Sequence, residues 1–585
     1  MKGYGPQGFR ECRGDYRDEA DLEIPSQPLY RFQSSLPRLP VPPLETTVAL
    51  YLETLVPLVT PAELAQAKQH AQEFLGPKGL GQELQRRLQQ RARDRSDTSY
   101  LAEWWNVGGY LEVRDPVVFN VSYFFHFADS VHAAQRSNIG RAASLLRATM
   151  AFRQQVYMFN ACRIPHRQAD TYRIYDPALH NHVVVMRHNK FFKIDMLDAA
   201  TKQVLSFEQL CFQLQRVVDA AGAKESAIGV LSSENRDIWA DARDELVRTG
   251  NEEALRAIES AIVLVNLDDA SPVSRTEVAA GLWHGDGRNR FYDKCIQLIV
   301  FENGKAGLLG EHSMLDGMPM SVYADFMLTR LHKSQIDMGR KGATTQALMA
   351  QPLPQPIPFR FSRQTLANIA SAERTFDQTV ADHDLHVESF YGYGKNAIKT
   401  FGMSPDAFVQ VAIQLAYKKL TGINAATAAF TDAMVDPSGA YSADDKRALL
   451  KAAVGKHVQY MKKAAQSHGV DRHLLGLRLL VQPGERVPFF EDPTMAKSRY
   501  WLISTSHLTN ERFDGWGWGE VVPEGLGIAY SIKNQSVQFN IACRQQLSGK
   551  WAPRMGHLLE EALVEMQALF TDSKKSKQSQ PPAKL

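Results

Sequence analysis

The stretch GEHSMLDGMP at residues 310–319 places a histidine and an aspartate four residues apart and closes with a glycine. A neutral imidazole accepts protons near neutral pH, so His312 suits general-base catalysis, in which a hydroxyl group loses its proton as it attacks a carbonyl carbon. Asp316 would orient a neighbouring group or the turn itself. The same spacing is typical of an ordinary helix start, so the pair alone leaves both interpretations open.

A second candidate group is a pair of lysines, Lys395 and Lys399, spaced four residues apart. They share one face if the segment is helical, and two ammonium groups could bind a phosphate dianion. A solvated helix face is the plainer interpretation of such a pair. Ser404 and Pro405 before Asp406 indicate that another helix begins there.

The elements that must position these residues follow from the sequence pattern. Residues 295–311 form an apolar run interrupted by Asn303 and Gly304, which predict a hairpin turn. His312 would then follow a hairpin strand in a partly antiparallel sheet. Further strand-like segments alternate with helical ones, which indicates a mixed α/β class. Residues 115–125 are expected to form a buried strand or loop, and the proline-rich residues 351–361 a linker.

Composition limits the function classes. At 585 residues the chain is long enough for two domains, and its 44% hydrophobic and 22% charged residues are typical of a globular protein. A net charge of +3 gives no reason to expect nucleic acid as a partner, no apolar run is long enough for a transmembrane segment, and no cluster suggests a metal. The ending Ala583-Lys584-Leu585 resembles a peroxisomal address, with a polar tail as the equal alternative.

Longer motifs limit the reaction types that the candidate residues could catalyse. The HxxxDG pattern at 312–317 resembles the signature of CoA-dependent acyltransferases typified by chloramphenicol acetyltransferase. This motif lies in the first of five segments by which the chain resembles the carnitine/choline acyltransferase family, and within it the fungal carnitine acetyltransferases; the resemblance runs from about residue 29 to 569. The segments are residues 281–319, residues 393–417, DRHLLGL at 471–477, STS at 504–506, and WGWGEVVPEGLGIAYSI at 516–532.

The resemblance implies a fold of two similar chloramphenicol-acetyltransferase-like domains, each a mixed β-sheet with flanking helices, enclosing a central active-site tunnel. The expected organisation is an N-terminal tail (1–28), helices that pack on the C-terminal domain (29–85), an N-terminal catalytic domain (86–355), a C-terminal CoA- and acceptor-binding domain (356–570) and a polar tail (571–585).

The resemblance also implies roles for the residues. His312 would be the general base, Asp316 would hold the histidine region in place, and Ser506 would donate to the oxyanion of the tetrahedral intermediate. The family's contacts to the CoA nucleotide match Lys395, Lys399 and Asp406.

On the acceptor side the chain departs from the family pattern. The family's carboxylate-binding arginine matches Arg472, which would bind a polar group of the acceptor or form a structural ion pair, and Tyr110 is expected at the acceptor. Ser504 is either an acceptor contact or an ordinary strand residue. In an ungapped match Asn424 replaces the carnitine-binding tyrosine and Pro437 the threonine, and a gap of one brings Ser438 to that place. Proline offers no donor, so carnitine is not the expected acceptor.

The sequence therefore predicts an O-acyltransferase that moves an acyl group from CoA or a carrier-protein phosphopantetheine thioester to a small hydroxyl compound such as a polyol. Release of a polyketide by transesterification, as in fungal synthases, fits this pattern. The alternative is a carnitine O-acetyltransferase, and a less favoured one is an inactive acyl-CoA-binding relative. No permanently bound cofactor is expected, and the location would be intracellular: cytoplasmic, or peroxisomal if the C-terminal tripeptide is an address.

Overall fold

The structure is a computed structural model that describes residues 9–12, 35–95, 99–155, 160–313, 315–339, 348, 351–423, 427–546 and 549–578. Most of the expected N-terminal tail, Asn424 and the C-terminal tripeptide lie outside these residues. In the described part of the chain, no helix combines the length and apolar character that crossing a membrane requires.

An eight-stranded mixed sheet forms the centre of the first half of the chain. It contains parallel neighbours in its middle and antiparallel pairs on both sides. From one edge to the other, its strands are β10 (Gln355–Ile357), β6 (Lys190–Asp195), β5 (His182–Arg187), β7 (Leu264–Leu267), β8 (Ile296–Val300), β9 (Ala306–Glu311), β2 (Ser122–Phe127) and β13 (Phe513–Gly517).

The hairpin predicted from the sequence is confirmed. Strands β8 and β9 pair antiparallel around Asn303 and Gly304, and Gly304 has a φ of 79°, which an L-residue adopts at a cost. Gly310 pairs with Tyr123 of β2, and a Cβ atom at position 310 would lie 2.8 Å from the tyrosine ring. The position of β9 beside β2 is therefore fixed, and the strand ends directly before His312.

A four-stranded sheet forms the centre of the second half, in the order β11 (His383–Phe390), β15 (Val537–Arg544), β14 (Leu526–Ile532) and β12 (Ile503–His507). Strand β13 leaves this half of the chain and joins the edge of the large sheet beside β2. The two-lobed mixed α/β class is thus confirmed, and one strand connects the lobes. The domain boundaries stay a prediction.

Two segments differ from the sequence expectation. Residues 115–125 contain a short helix, with Pro116 as its N-cap residue, before the expected buried strand begins at Ser122. Within the expected linker, residues 355–357 form β10 and pair with β6. Pro356 is tolerated there because β10 is an edge strand. A small third sheet contains β1 (Phe9–Cys12), β4 (Thr171–Tyr175) and β3 (Asn160–Ile164).

Helices cover both sheets. In chain order they are α1 (Leu44–Leu55), α2 (Pro61–Leu75), α3 (Gly81–Asp94), α4 (Ala102–Asn106), α5 (Val117–Asn120), α6 (Asn138–Gln155), α7 (Phe207–Ala221), α8 (Arg236–Arg248), α9 (Glu252–Glu259), α10 (Arg275–Trp283), α11 (Gly317–His332), α12 (Arg363–Ala381), α13 (Lys395–Thr400), α14 (Pro405–Thr421), α15 (Ala428–Val435), α16 (Ala443–Ala465), α17 (Val470–Arg478), α18 (Pro488–Glu491), α19 (Pro493–Arg499) and α20 (Trp551–Gln578).

The first three helices share a hydrophobic core with residues 470–495, far away in sequence. Buried His473 on α17 joins this core by polar contacts: its Nδ1 lies 2.7 Å from the hydroxyl of Thr47, and its Nε2 lies 2.8 Å from Oε1 of Gln85. The N-terminal helices and α17 therefore form one packed unit, and Trp104 and Trp105 lie against it.

Candidate active site

The imidazole of His312 lies in the turn between β9 and α11, held between two tyrosine rings. Tyr110 stacks on it with 5.3 Å between ring centroids, and its hydroxyl lies 2.8 Å from Nδ1. Tyr123 meets the imidazole edge-on, also at 5.3 Å. The His312 side chain remains 33% exposed. The ring is thus fixed at Nδ1 and open to an incoming molecule on another side.

Tyr110 comes from a π-helical turn, Val107–Leu111, that continues α4. Such turns are rare and occur often at functional sites. Burial raises the pKa of Tyr110 to about 12, so its phenol is neutral at pH 7 and can donate or accept one hydrogen bond. The sequence placed Tyr110 at the acceptor; in the structure it contacts the imidazole itself.

Asp316 fits both interpretations of residues 310–319, the helix start and the catalytic pair. Its carboxylate accepts a hydrogen bond of 2.7 Å from the backbone N–H of Gly317, where α11 begins. One of its oxygens also lies 3.6 Å from Nε2 of His312. Because Asp316 is 80% exposed, water screens this attraction strongly. Asp316 starts the helix and faces the base.

A buried arginine, Arg163, connects the chain segments that carry His312 and Tyr110. The sequence analysis missed this residue. Arg163 is 1% exposed and donates to Glu311, the residue before His312, over 3.1 Å. It also donates to the backbone carbonyl of Tyr110 over 2.8 Å and to Asp170 over 2.6 Å. One side chain therefore holds the backbone segments that carry both His312 and Tyr110. Nothing local in the sequence around residue 163 signals this role.

Asp170 anchors the arginine from the other side. Burial acts to raise the pKa of Asp170, but the guanidinium groups of Arg236, Arg163 and Arg114 outweigh it and lower the pKa. The carboxylate therefore stays charged inside the protein. This network of paired charges is buried, and removing one member would leave others uncompensated.

Arg472 lies against Trp105, which in turn contacts Tyr110. Its guanidinium carbon is 4.0 Å from the ring centroid of Trp105, and Trp105 meets Tyr110 edge-on with 6.4 Å between centroids. Within the described residues, no carboxylate lies in ion-pair range of Arg472, which counts against the structural ion pair considered above. The indole of Trp105 thus forms the surface on which the Arg472 guanidinium lies.

Lys395 and Lys399 both lie on α13, which meets the condition for their sharing one helix face, and Lys399 is exposed. In the part of the chain that the structure describes, neither forms an ion pair with an acidic side chain. Their ammonium groups are therefore available to a phosphate.

Asp406, at the start of α14, accepts a hydrogen bond of 2.6 Å from the hydroxyl of Tyr530. Two histidines, His457 and His507, lie 3.5 Å and 3.3 Å from its carboxylate oxygens. Burial acts to raise the pKa of Asp406, and the contacts with His457, Tyr530 and His507 lower it. The positive charge of Lys395 in turn acts on His507, which connects α13 to this cluster.

Ser504 and Ser506 lie on β12, which pairs parallel with β14. Ser506 is exposed, and its hydroxyl forms no hydrogen bond with any described residue. The chain after β12 crosses to the large sheet, where Asn510 donates to Asp325 of α11 over 2.7 Å. The serine strand is thus linked to the helix that follows His312.

The structure does not bring Ser438 to this group. Its hydroxyl donates to both carboxylate oxygens of Asp436, over 2.8 Å and 2.7 Å, in an exposed turn between α15 and α16. Asn424 lies outside the described residues. Among those residues, no group of three or more histidine, cysteine or acidic side chains is arranged to hold a metal ion.

Comparison with known proteins decides the family. The sequence profile of the family "Choline/Carnitine o-acyltransferase" matches residues 39–157, 153–428 and 421–561. The chain belongs to this family. Similar proteins include the mitochondrial carnitine O-acetyltransferase of Saccharomyces cerevisiae (32% identical, covering 93% of this chain and 89% of the relative), carnitine O-acetyltransferase of Homo sapiens (29%, 94% and 95%) and choline O-acetyltransferase of Sus scrofa (30%, 92% and 93%).

The family resemblance read from the sequence is confirmed, and the chain is an O-acyltransferase. The family transfers acyl groups from CoA to hydroxyl groups. Its relatives act on two different acceptors by name, carnitine and choline. Membership of the family therefore establishes the reaction type, whereas the acceptor depends on this chain's own residues.

Proposed function

We propose that the chain transfers an acyl group from a pantetheine thioester to the hydroxyl group of a small acceptor other than carnitine, such as a polyol, with His312 as the general base. The observation that carries the proposal is the imidazole held at Nδ1 by Tyr110 and open on its other side. The loss of the carnitine-binding pattern after α14 supports a different acceptor.

In the reaction, Nδ1–H of His312 donates to the phenolic oxygen of Tyr110, which leaves the lone pair on Nε2. Nε2 removes the proton of the acceptor hydroxyl as its oxygen attacks the thioester carbonyl. Ser506 donates to the resulting oxyanion. When the intermediate collapses, the C–S bond breaks, and the imidazolium returns the proton to the thiolate. Asp316, 3.6 Å from Nε2, favours the transient positive charge.

The turn between α15 and α16 is where a residue that binds the carnitine carboxylate is expected. Pro437 has neither a hydroxyl nor an amide hydrogen, and the hydroxyl of Ser438 is bound to Asp436. The threonine position therefore offers no free hydroxyl, and Asn424 replaces the tyrosine in the ungapped match, so Arg472 alone is kept of the three groups expected to bind the carnitine carboxylate. An unpaired carboxylate is bound poorly in a partly desolvated site, so carnitine should be a weak substrate.

Carnitine O-acetyltransferase remains the second candidate. Arg472 keeps its guanidinium beside Trp105 without a carboxylate partner among the described residues, so it can bind an acceptor carboxylate. The named activity of similar proteins from yeast and human also favours it. An inactive relative is the least favoured candidate because the chain keeps His312, Asp316 and Ser506, which an idle site would not need.

The donor proposal covers CoA and a carrier-protein phosphopantetheine arm. The ammonium groups of Lys395 and Lys399, which have no acidic partner among the described residues, favour CoA, because they suit a phosphate dianion. Release of a polyketide onto a polyol would use the same His312 chemistry with a carrier-bound donor. A peroxisomal location, like the cytoplasmic one, stays a proposal.

The test compares His312→Ala with His557→Ala, a matched control whose imidazole is 70% exposed and lies 3.2 Å from Glu561. Removing a general base should lower kcat about 10²- to 10⁴-fold, and the control should retain the wild-type rate. Each protein is incubated with acetyl-CoA and either carnitine, choline or glycerol, and the ester is identified by mass. A near-wild-type rate for His312→Ala would reject the base assignment, and efficient acylcarnitine formation would reject the non-carnitine acceptor.

A further inference from the structure

Two buried tyrosines bind the backbone of the turn between β9 and α11, which carries the proposed base. The hydroxyl of Tyr123 donates to the carbonyl oxygens of Leu315 and Asp316, over 2.8 Å and 3.3 Å. The hydroxyl of Tyr172 donates to the carbonyl oxygen of Ser313 over 2.9 Å. A pair of phenols therefore holds three carbonyl groups of this turn.

Gly310 leaves the space through which the phenol of Tyr123 reaches the turn. The two residues lie directly opposite each other on β9 and β2. A Cβ atom at position 310 would lie 2.8 Å from Cζ of Tyr123 and 3.0 Å from its hydroxyl oxygen. Packed carbon atoms rest at about 3.5 to 4.0 Å, so a larger residue at position 310 would push the ring away from the turn.

Tyr172 reaches the turn from the small third sheet. On β4 it is paired with Arg163 of β3, so both side chains leave the sheet on the same face. Arg163 donates to Glu311, and Glu311 in turn accepts a hydrogen bond of 2.5 Å from the hydroxyl of Ser313. One face of the small sheet thus holds the turn at two points, through the side chain of Glu311 and through the carbonyl of Ser313.

Both phenols keep their protons over the pH range in which enzymes work. Burial raises the pKa of Tyr123 well above its ordinary value, and the nearby carboxylates of Asp316 and Glu311 add to this effect. Burial also raises the pKa of Tyr172. Since a phenolate cannot donate a hydrogen bond, the raised pKa values keep both tyrosines as donors to the turn.

The location of these hydroxyls suits them to hold the base and not to bind a substrate. Tyr123 and Tyr172 are only 3% and 2% exposed, and both hydroxyls face backbone carbonyl groups. The ring of Tyr123 also meets the imidazole of His312 edge-on. The backbone before His312 is held through Arg163, and the backbone after it is held by the two phenols.

We propose that Tyr123 and Tyr172 are positioning residues for the acyl transfer. By binding the carbonyl groups that follow His312, they keep the imidazole stacked on Tyr110 and open on its other side to the acceptor hydroxyl. The proposal rests on the proposed function, since it takes His312 as the base, and it adds two residues that no motif marks. A turn released from either phenol lets the imidazole leave this position, which lowers the fraction of molecules with the base in place.

The first measurement follows CoA release by Tyr123→Phe and Tyr172→Phe, which remove one hydroxyl each and keep the rings. We expect kcat to fall about 3- to 10-fold in each variant, while the KM values for acetyl-CoA and the acceptor stay within about twofold. Tyr393→Phe is the control, because its hydroxyl also donates to a buried carbonyl group, that of Leu563, but in the second lobe. An unchanged kcat in both variants, or a loss no larger than in the control, would overturn the proposal.

The second measurement repeats both tyrosine changes in protein that carries His312→Ala. A side chain that acts through the imidazole has nothing left to position there, so the residual rate should change by less than about twofold. A loss as large as in the wild-type background would show that the tyrosines act on the structure as a whole. That result would also overturn the proposal.

The third measurement does not depend on turnover. Diethyl pyrocarbonate modifies accessible neutral imidazoles, and mass spectrometry gives the rate at each histidine. We expect the rate at His312 to rise by about twofold or more in both tyrosine variants and to stay unchanged in Tyr393→Phe, with the exposed His557 as the internal standard. If no acceptor is acylated but this pattern holds, the proposed function fails and the positioning role stands. Equal rates at His312 in all four proteins would overturn the positioning role.

Discussion

Replacing Tyr110 by phenylalanine tests how the base is positioned. The change removes one hydroxyl, 2.8 Å from Nδ1 of His312, and keeps the ring that stacks on the imidazole at 5.3 Å. A hydrogen bond of this kind contributes a net of about 0.5 to 1.5 kcal/mol, which corresponds to roughly 2- to 12-fold in rate. Water can partly replace the hydroxyl because His312 is 33% exposed, so the lower half of that range is expected.

The assay follows CoA release at saturating acetyl-CoA while the acceptor concentration is varied. If Tyr110 positions the base, kcat falls and the acceptor KM stays within about twofold. Tyr393→Phe is the control, since it removes a buried hydroxyl that donates to the carbonyl of Leu563 over 2.6 Å, in the core of the second lobe. An unchanged kcat with a raised acceptor KM would refute the positioning role and return Tyr110 to acceptor binding alone.

Three other changes test the framework. Arg163→Met should lower the free energy of unfolding by about 3 to 5 kcal/mol in urea titrations, because it leaves the buried Glu311 without its cation and removes one of the three arginines paired with Asp170; the exposed Arg167→Met should cost under about 1 kcal/mol. Lys395→Ala should raise the KM for acetyl-CoA roughly tenfold at low salt and less at high salt, whereas Lys419→Ala, which loses a lysine already paired with acids, should not. Burial lowers the pKa of His473 to about 4, below the 6.5 of an unfolded chain, so its contribution to stability is complete above pH 6.5 and falls as the pH drops toward 4. Between pH 7.5 and 5 the wild type should therefore lose about 2 kcal/mol relative to His473→Gln, measured as unfolding free energies at both pH values; equal losses would contradict this.

Local pattern was enough to predict the parts of the fold that position the base. Asn303-Gly304 between two apolar runs specifies a hairpin because few residues tolerate the required backbone angles. The lysine pair lies on a helix, so the four-residue spacing puts both lysines on one face. These features depend on neighbours within about 20 residues, so the sequence around them contains the needed information.

The partners of the base could not be predicted in the same way. Tyr110 and His312 are 202 residues apart, and Arg163 and Glu311 are 148 apart. Which side chains meet over such separations depends on how helices and sheets pack, and a single sequence gives no pairwise signal for it. The sequence indicated that Glu311 precedes the base, and only packing shows which cation neutralises it.

The two sides of the site are built on different cores, and this has a consequence for specificity. His312 ends a strand of the large sheet, while Arg472, Arg478 and Arg499 lie on α17 and α19, which share a core with the N-terminal helices. Trp105 packs against that second core and contacts Tyr110. Changes in the N-terminal helices can therefore move these three arginines relative to the base without altering the strand that precedes His312. We accordingly expect selectivity among acceptors to respond to substitutions in this core, with the proton-transfer chemistry retained.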